Sequence, residues 1–168
     1  MFLDESAAST SLARLYGRSP VGERLRDSAP AGHWLTCTML CAIRRTGPFA
    51  PVLIDGPVNG DVFTAWVEQM LIPGLRPGEI VVMDNLSAHR MASVAAMIRA
   101  AGVEVRYLPP YSPDMNPIEP MWSQVKSTLR KLAARTFDGL CEAMGKALDM
   151  VTPAHCNAYF NECGYCTN

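Results

Sequence analysis

The fold is decided by residues 79–108, EIVVMDNLSAHRMASVAAMIRAAGVEVRYL. Its first six residues, EIVVMD, are a continuous apolar run that ends on an acid. A run without alternation is the pattern of a strand covered on both faces. Residues 87–102 are alanine-rich and predict a helix, with Ser87 placed to cap its start and Gly102 to stop its end. Residues 103–108, VEVRYL, alternate and predict a further strand.

Working outward, WLTCTMLCAI (34–43) and APVLID (50–55) predict two strands joined by the turn RRTGPF, together a hairpin. The opening MFLDE is apolar and then abruptly acidic, a short strand. Residues 10–33 carry Arg14, Arg18, Arg24 and Arg26 among glycines and prolines, and read as a basic, irregular excursion. Residues 62–72 place Phe63, Trp66, Val67, Met70 and Leu71 at helical spacing. PPYSPDMNP, with four prolines, is a stiff loop. A helix is predicted from Ile118 to about Ala134, and another over 136–151 with Thr136 as its cap. Strand, strand, strand, helix, strand, helix, strand, helix, helix is the order of an α/β domain. It predicts a mixed five-stranded sheet with helices on both faces, and it matches the ribonuclease H-like fold. Fold alone assigns no function.

At 168 residues the chain suits a single domain, able to bury roughly 70% of its unfolded surface. A net charge of −1 argues against a strongly basic nucleic-acid binder but averages over local patches. The apolar runs are strand-length and too short to span a bilayer. The N-terminus places acids where a signal peptide needs positive charge, so a cytoplasmic address and six free thiols are expected.

Three acids stand out, each with a plain structural alternative. Asp84 ends a buried strand, at the sheet edge where α/β sites form, yet Asp is also a common turn residue. Asp4 ends the short strand MFLD but lies near a terminus, and Glu5 competes with it, since side chains alternate along a strand. Glu119 lies in NPIEPMW (116–122). There Asn116 reads as an N-cap, Pro117 as the first helical residue and Glu119 as the far half of a capping box. In the following helix Ile118, Trp122, Val125, Leu129 and Leu132 form an apolar stripe. Glu119, Ser123, Lys126 and Arg130 form an adjacent polar one. That polar stripe suits either a solvated face or a metal-bound acid with phosphate contacts below it. Carboxylates from three segments suit hard divalent cations, and two such ions can stabilise both oxygens of an in-line phosphoryl displacement.

VVMDNLSAHR followed by LPPYSPDMNPIEPMWSQVK resembles the DDE transposases of bacterial insertion sequences in the Tc/mariner superfamily. In that family a strand ends in Asp-Asn with a nearby His, and a proline-rich motif leads to Asn-Pro-Ile-Glu. Here 34 residues separate Asp84 from Glu119, and FLDES matches the motif of the first acid. The resemblance covers nearly all of residues 2–165. It implies a ribonuclease H-like catalytic domain in which Asp4, Asp84 and Glu119 are catalytic and hold two Mg²⁺ or Mn²⁺ ions. It implies cleavage of DNA at transposon ends and strand transfer into target DNA. Asn85, His89, Tyr111, Asn116 and Trp122 match motif positions: Asn85 and His89 to orient ligands or touch DNA, Tyr111 and Trp122 to pack.

One departure is large. The family carries an N-terminal helix-turn-helix region that binds the transposon ends, and only three residues precede Asp4 here. The expectation is a fragment, or a second reading frame completed by a frameshift fusion or a separate N-terminal DNA-binding partner, acting as a homo-oligomer and without a membrane. Phosphate contacts are expected from residues 14–26, Arg44–Arg45, and Lys126, Arg130, Lys131 and Arg135. Two rival readings are a truncated transposase that only binds DNA or regulates a relative, and another ribonuclease H-like nuclease. His155, Cys156, Cys163 and Cys166 have part of a zinc spacing, but the second half of a regular zinc pattern is absent. Cys37 and Cys41 share a strand face and are expected in the core. Asp55 and Asp61 read as turn and cap residues, with Asp55 the substitute carboxylate for Asp4.

Overall fold

The computed structural model describes residues 1–28, 30–86, 89 and 91–166. Five strands form one sheet in the order β3-β2-β1-β4-β5: β1 (Phe2–Ser9), β2 (Thr36–Arg44), β3 (Gly47–Asp55), β4 (Ile80–Met83) and β5 (Glu104–Tyr107). The first three are antiparallel, whereas β4 runs parallel to both β1 and β5. The β2–β3 hairpin forms as expected, but β3 starts at Gly47 rather than Ala50. The first strand is longer than the sequence suggests. It continues through Ser6, Ala7, Ala8 and Ser9 because β2 offers a partner at every step from Phe2↔Ile43 to Ser9↔Thr36. Neighbouring pairing overrides the weak strand preference of alanine and serine.

Helices cover both faces. One layer sets Phe2, Cys37, Met39, Cys41 and Ile43 against α3 (Ile118–Leu132), α4 (Phe137–Asp149) and α5 (Pro153–Glu162). The other sets Leu3, Leu40, Ala42, Val81 and Met83 against α1 (Gly60–Trp66) and α2 (Ala92–Ala100). β2, between β3 and β1, is buried on both sides over most of its length, and Cys37 and Cys41 lie in its core face as expected. No helix among the described residues is long and apolar enough to cross a membrane.

Several helix bounds differ from the sequence pattern. α1 is capped by Asn59, whose side chain accepts from the Val62 N–H, rather than by Asp61. It then widens into a π-helical turn over Val67–Leu71. α2 begins at Ala92, and Ser87, expected to cap it, lies outside the described residues. α3 ends at Leu132, where Ala133 turns left-handed with φ 51°. Thr136 caps α4 as expected. α5 is an addition, started by Thr152 and Pro153, a cap-plus-proline signal present in the sequence. His155 completes its capping box, Cys156 is buried, and among the described residues no three His, Cys, Asp or Glu side chains gather to hold a metal ion there.

Three of the expected phosphate-contacting arginines hold the fold together instead. Arg44 grips both carboxylate oxygens of Glu79 at 3.0 Å and the Gly74 carbonyl at 2.7 Å. Arg45 donates to Asn157 and to the Tyr165 carbonyl across the Phe160 ring. Arg135 clasps the carbonyls of Thr10 and Leu12, anchoring the start of the irregular segment that follows β1. Arg14, Arg18, Arg24 and Arg26, further along that segment, are exposed.

The apolar stripe of α3 is also corrected at one position. Ile118, Trp122, Val125 and Leu129 are buried together with Met121, but Leu132 is 46% exposed at the helix end. Leu129→Ala should therefore cost about 2–5 kcal/mol, whereas Leu132→Ala should stay within about 0.5 kcal/mol of wild type. Urea unfolding of the two variants checks the assignment, and equal losses would contradict it.

Candidate active site

β4 and β1 meet in parallel at Phe2↔Val82. Two residues further along both strands, Asp4 therefore comes alongside Asp84. β4 has just ended at Met83, while β1 runs on against β2. The end of β4 leaves the sheet open at this point, and a cleft of about 550 Å³ occupies the opening. Asp4, Glu5, Asp84, Asn85, Asn116 and Glu119 line it, and the loop over 108–113 forms a wall. The three acids singled out in the sequence thus converge from three separate segments. Asp55, the substitute for Asp4, is exposed at the end of β3 and does not line the cleft.

Asp4 is only 6% exposed. Its carboxylate accepts from the Glu5 N–H at 2.7 Å and from Asn116 Nδ2 at 3.0 Å. Burial pushes its carboxyl up to about 7; the Glu5 N–H opposes this and the nearby Asp84 and Glu119 charges reinforce it. Asp84 shifts the other way. Burial would raise it, but the His89 ring and the Leu86 N–H, which donates at 3.0 Å, together hold it below its ordinary value. Two acids on adjacent strands are thus driven apart by their different partners.

Asn116 does not cap α3. Its side chain turns to Asp4, the N-cap position falls on Pro117, and no side chain caps this helix end. The capping box read in the sequence is therefore absent: the Asn116 side chain is oriented so that its Nδ2 donates to the Asp4 carboxylate, and its Oδ1, the atom a cap would use, is left without a partner. Glu119 consequently has no cap to fold back onto. It sits exposed in the first turn, faces the cleft, and has no hydrogen-bond partner among the described residues. The helix dipole favours a negative charge there.

Of the remaining motif residues, His89 is fully buried and binds Asp84 through Nδ1, so it orients that acid and is out of reach of DNA. Asn85 donates to the Leu108 carbonyl, tying the turn after β4 to the loop after β5. Trp122 packs in the core as expected. Tyr111 does not: it is fully exposed at the rim of the cleft, with a left-handed φ of 58°. Such a backbone is uncommon outside glycine. Glu5 was read as an alternative to Asp4, yet both reach the cleft. Alternation holds along β1, but a cleft at the open end of a sheet is accessible from both of its faces.

A mixed five-stranded sheet in this order, helices on both faces, and acids gathered where β1 passes the end of β4 define a ribonuclease H-like catalytic domain. The chain belongs to the DDE superfamily endonuclease family, whose model it matches over residues 1–141. Among solved structures it is similar to a Mos1 transposase paired-end complex with left transposon end, with a TM-score of 0.71 and 13% identity, covering 97% of this chain and 50% of that one. It is likewise similar to the catalytic domain of Mos1 mariner transposase, at TM-score 0.65 and 12% identity over 97% of this chain and 75% of that one. A third is the Mos1 transposase catalytic domain with Raltegravir and Mg, at TM-score 0.65 and 14% identity over 77% of this chain and 69% of that one. At these identities the likeness is one of fold. The chain spans about half the length of the transposase in the paired-end complex. Among curated proteins, none matches the chain significantly by sequence.

The opposite shifts of the two aspartates give a pH signature. The Asp4 carboxyl is raised from 3.8 to about 7, so the native state holds a proton that the unfolded chain has released across that window. The associated stability is complete below the lower value and is lost as pH rises through the upper one. In the absence of divalent cations, Asp4→Asn should melt higher than wild type at pH 8, by an amount equivalent to about 1–3 kcal/mol. The gap should close as pH falls toward 4. Parallel pH–Tm curves for the two proteins would contradict this account of Asp4.

Proposed function

We propose that this chain is the catalytic domain of a DNA transposase, cutting DNA strands at transposon ends and joining the freed 3′-hydroxyl to target DNA. The observation that carries the reading is the meeting of Asp4, Asp84 and Glu119, from three separate segments, in one open cleft. Membership of an endonuclease family and the fold shared with Mos1 transposase support it.

The residues fit a divalent cation in chemistry. Every donor at the centre of the cleft is an oxygen, the preference of Mg²⁺ and Mn²⁺. Asp4 holds its proton to about 7 for want of a nearby positive charge that would outweigh its burial. Among the described residues no three such side chains already lie close enough to grasp one ion. In the proposal Asp4, Asp84 and Glu119 hold two ions; the use of a divalent cation is supported by Mos1 transposase catalytic-domain structures with Mg and with Mn. Bound there, such ions supply charge stabilisation to the attacking and leaving oxygens of an in-line displacement at phosphorus.

The chain's own residues prepare that geometry. Asn116 and the Glu5 N–H fix Asp4, and His89 and the Leu86 N–H fix Asp84. Glu119 enters from the start of α3 with its carboxylate uncommitted. Lys126 and Arg130 follow it down the same helix, half-buried and without an ion-pair partner among the described residues, and are proposed to meet phosphates. The exposed Tyr111 ring at the rim is proposed to stack on an unpaired base. Recognition of the transposon ends is assigned to an N-terminal DNA-binding region, fused by frameshifting or supplied by a partner, and the active form to a homo-oligomer in the bacterial cytoplasm.

The test supplies Mn²⁺ or Mg²⁺ with a supercoiled plasmid carrying the sequences that flank this coding region. Wild type should nick or cut it in a cation-dependent way. Asp84→Asn and Glu119→Gln should each lose at least about a hundredfold in rate, as expected when a group acting at the reacting centre is removed. Equal cleavage by all three proteins would sink the assignment. Cleavage by wild type only after an N-terminal partner is added would support the divided form.

A further inference from the structure

The loop that walls the cleft runs on through the turn Pro113–Met115 to Asn116, whose side chain holds Asp4. Inside this stretch the hydrogen bonds are local. The Ser112 hydroxyl donates to the Pro110 carbonyl, the Met115 N–H to the Ser112 carbonyl at 3.1 Å, and the Asn116 N–H to the Pro113 carbonyl at 3.1 Å. Such bonds stiffen the stretch but do not fasten it to the body of the domain. Among the described residues, one hydrogen bond reaches residues 109–115 from elsewhere in the chain. It comes from the hydroxyl of Tyr165, 50 residues further on, which donates to the Met115 carbonyl at 2.9 Å.

Tyr165 is itself held in place. It follows α5, its N–H donates to the Phe160 carbonyl at 2.9 Å, and its own carbonyl accepts from Arg45. Its ring centroid lies 4.8 Å from that of Phe2 and 6.3 Å from that of Phe160. Aromatic rings at such separations attract each other beyond the area they bury. Tyr165 therefore touches both features that place Asp4. One is Phe2, which pairs with Val82 in the β1–β4 register. The other is the Met115–Asn116 peptide. The Met115 carbonyl and the Asn116 N–H belong to one planar unit, so a bond to the former holds the backbone from which the Asn116 side chain departs. Tyr165 lies beyond residues 1–141, which match the endonuclease family model, and it does not line the cleft.

We infer that Tyr165 is a positioning residue: its hydroxyl ties the wall of the cleft to the aromatic cluster at the start of β1, and through the Met115–Asn116 peptide it keeps the Asn116 amide on the Asp4 carboxylate. The inference rests on the proposed role of Asp4 as a cation ligand. Tyr165 acts from outside the cleft and touches neither cation nor substrate. The C-terminal segment after α5 thus completes a site whose acids all lie earlier in the chain.

The first measurement follows the side-chain amide of Asn116 in ¹H–¹⁵N spectra of the metal-free protein at one pH, with Asn116→Ala to identify its signals. Tyr165→Phe keeps the ring against Phe2 and removes only the hydroxyl. It should shift the Asn116 amide signals and speed their exchange with water, while the backbone signals of α4 stay in place. Asn116 signals unmoved in Tyr165→Phe would overturn the inference. Equal displacement of α4 would make the hydroxyl a prop of the whole fold and also overturn it. The second measurement is Mn²⁺ binding by electron paramagnetic resonance. Tyr165→Phe should weaken it toward the lower end of the roughly 10–100-fold typical of groups that orient a ligand. Combined with Asn116→Ala it should bind no more weakly than Asn116→Ala alone. Leu140→Ala, a truncation in the core of α4, should melt lower than Tyr165→Phe yet bind Mn²⁺ as wild type does. Unchanged affinity in Tyr165→Phe, equal weakening in Leu140→Ala, or additive loss in the double variant would each overturn the inference. If wild type binds no Mn²⁺, the cation reading of Asp4 fails, while the Asn116 amide still decides whether Tyr165 positions it.

Discussion

The candidate site depends on the register in which β1 lies against β4. Phe2 pairs with Val82, and from that one match Asp4 falls beside Asp84. The register is held by apolar packing on both sides of β1, with Phe2 buried against α5 and Leu3 buried against the α1 layer. A slip of one residue would turn every side chain to the opposite face. It would drive Asp4 into the layer of Leu40 and Phe63 and lift Leu3 toward the cleft. The core thus fixes the position of two negative charges that would otherwise repel each other, and does so from residues that play no part in the chemistry.

That proximity has an electrostatic cost, which the structure distributes unevenly. Asp84 is given an imidazole and a backbone N–H and stays ionised with ease. Asp4 is given a neutral amide and one backbone N–H, is more deeply buried, and retains its proton to about 7. Glu119 is exposed at a helix start, with no hydrogen-bond partner among the described residues. On the proposed reading, an incoming cation would find one acid ready, one exposed and uncommitted, and one that exchanges a proton for the ion. The stiffness of the surroundings serves the same end. Prolines 109, 110, 113 and 117 hold the wall of the cleft and the start of α3, so the acids are carried on elements that do not readily move apart.

Much of this was legible before the fold was known. The continuous run at 79–84 and the alternation at 103–108 gave β4 and β5, and the hairpin and α3 followed from period alone. What period does not carry is the identity of a distant partner. Asn116 looks like a helix cap because its neighbours in sequence make one, yet Asp4, 112 residues away, takes its side chain. Arg44, Arg45 and Arg135 look like free cations because their acceptors, including carbonyls on remote loops, are not written beside them. Tyr111 looks like a packing residue because aromatics near helix starts usually are. Its left-handed backbone among prolines instead holds the ring outward. The three acids were legible as strand and helix ends; that they share a cleft depended on the sheet order.

The same sorting bears on how such a domain would hold DNA. Removing Arg44, Arg45 and Arg135 from the expected phosphate contacts leaves the exposed arginines of residues 14–26 and Lys126, Arg130 and Lys131 of α3. At 1.5 Å per residue along a helix, Lys126 stands about 10 Å and Arg130 about 16 Å below Glu119. A DNA strand advances about 3.4 Å per nucleotide, so these two positions would meet a strand leaving the cleft about three and five nucleotides from the cut. Two cations on one helix face suffice to set direction but not to bind tightly, because each neutralised phosphate contributes only one unit of counterion release. A domain with a net charge of −1 would, on the proposed reading, aim a strand at its acids rather than capture DNA. On the proposed reading, capture then falls to the basic segment after β1, to a second copy, or to a separate DNA-binding region.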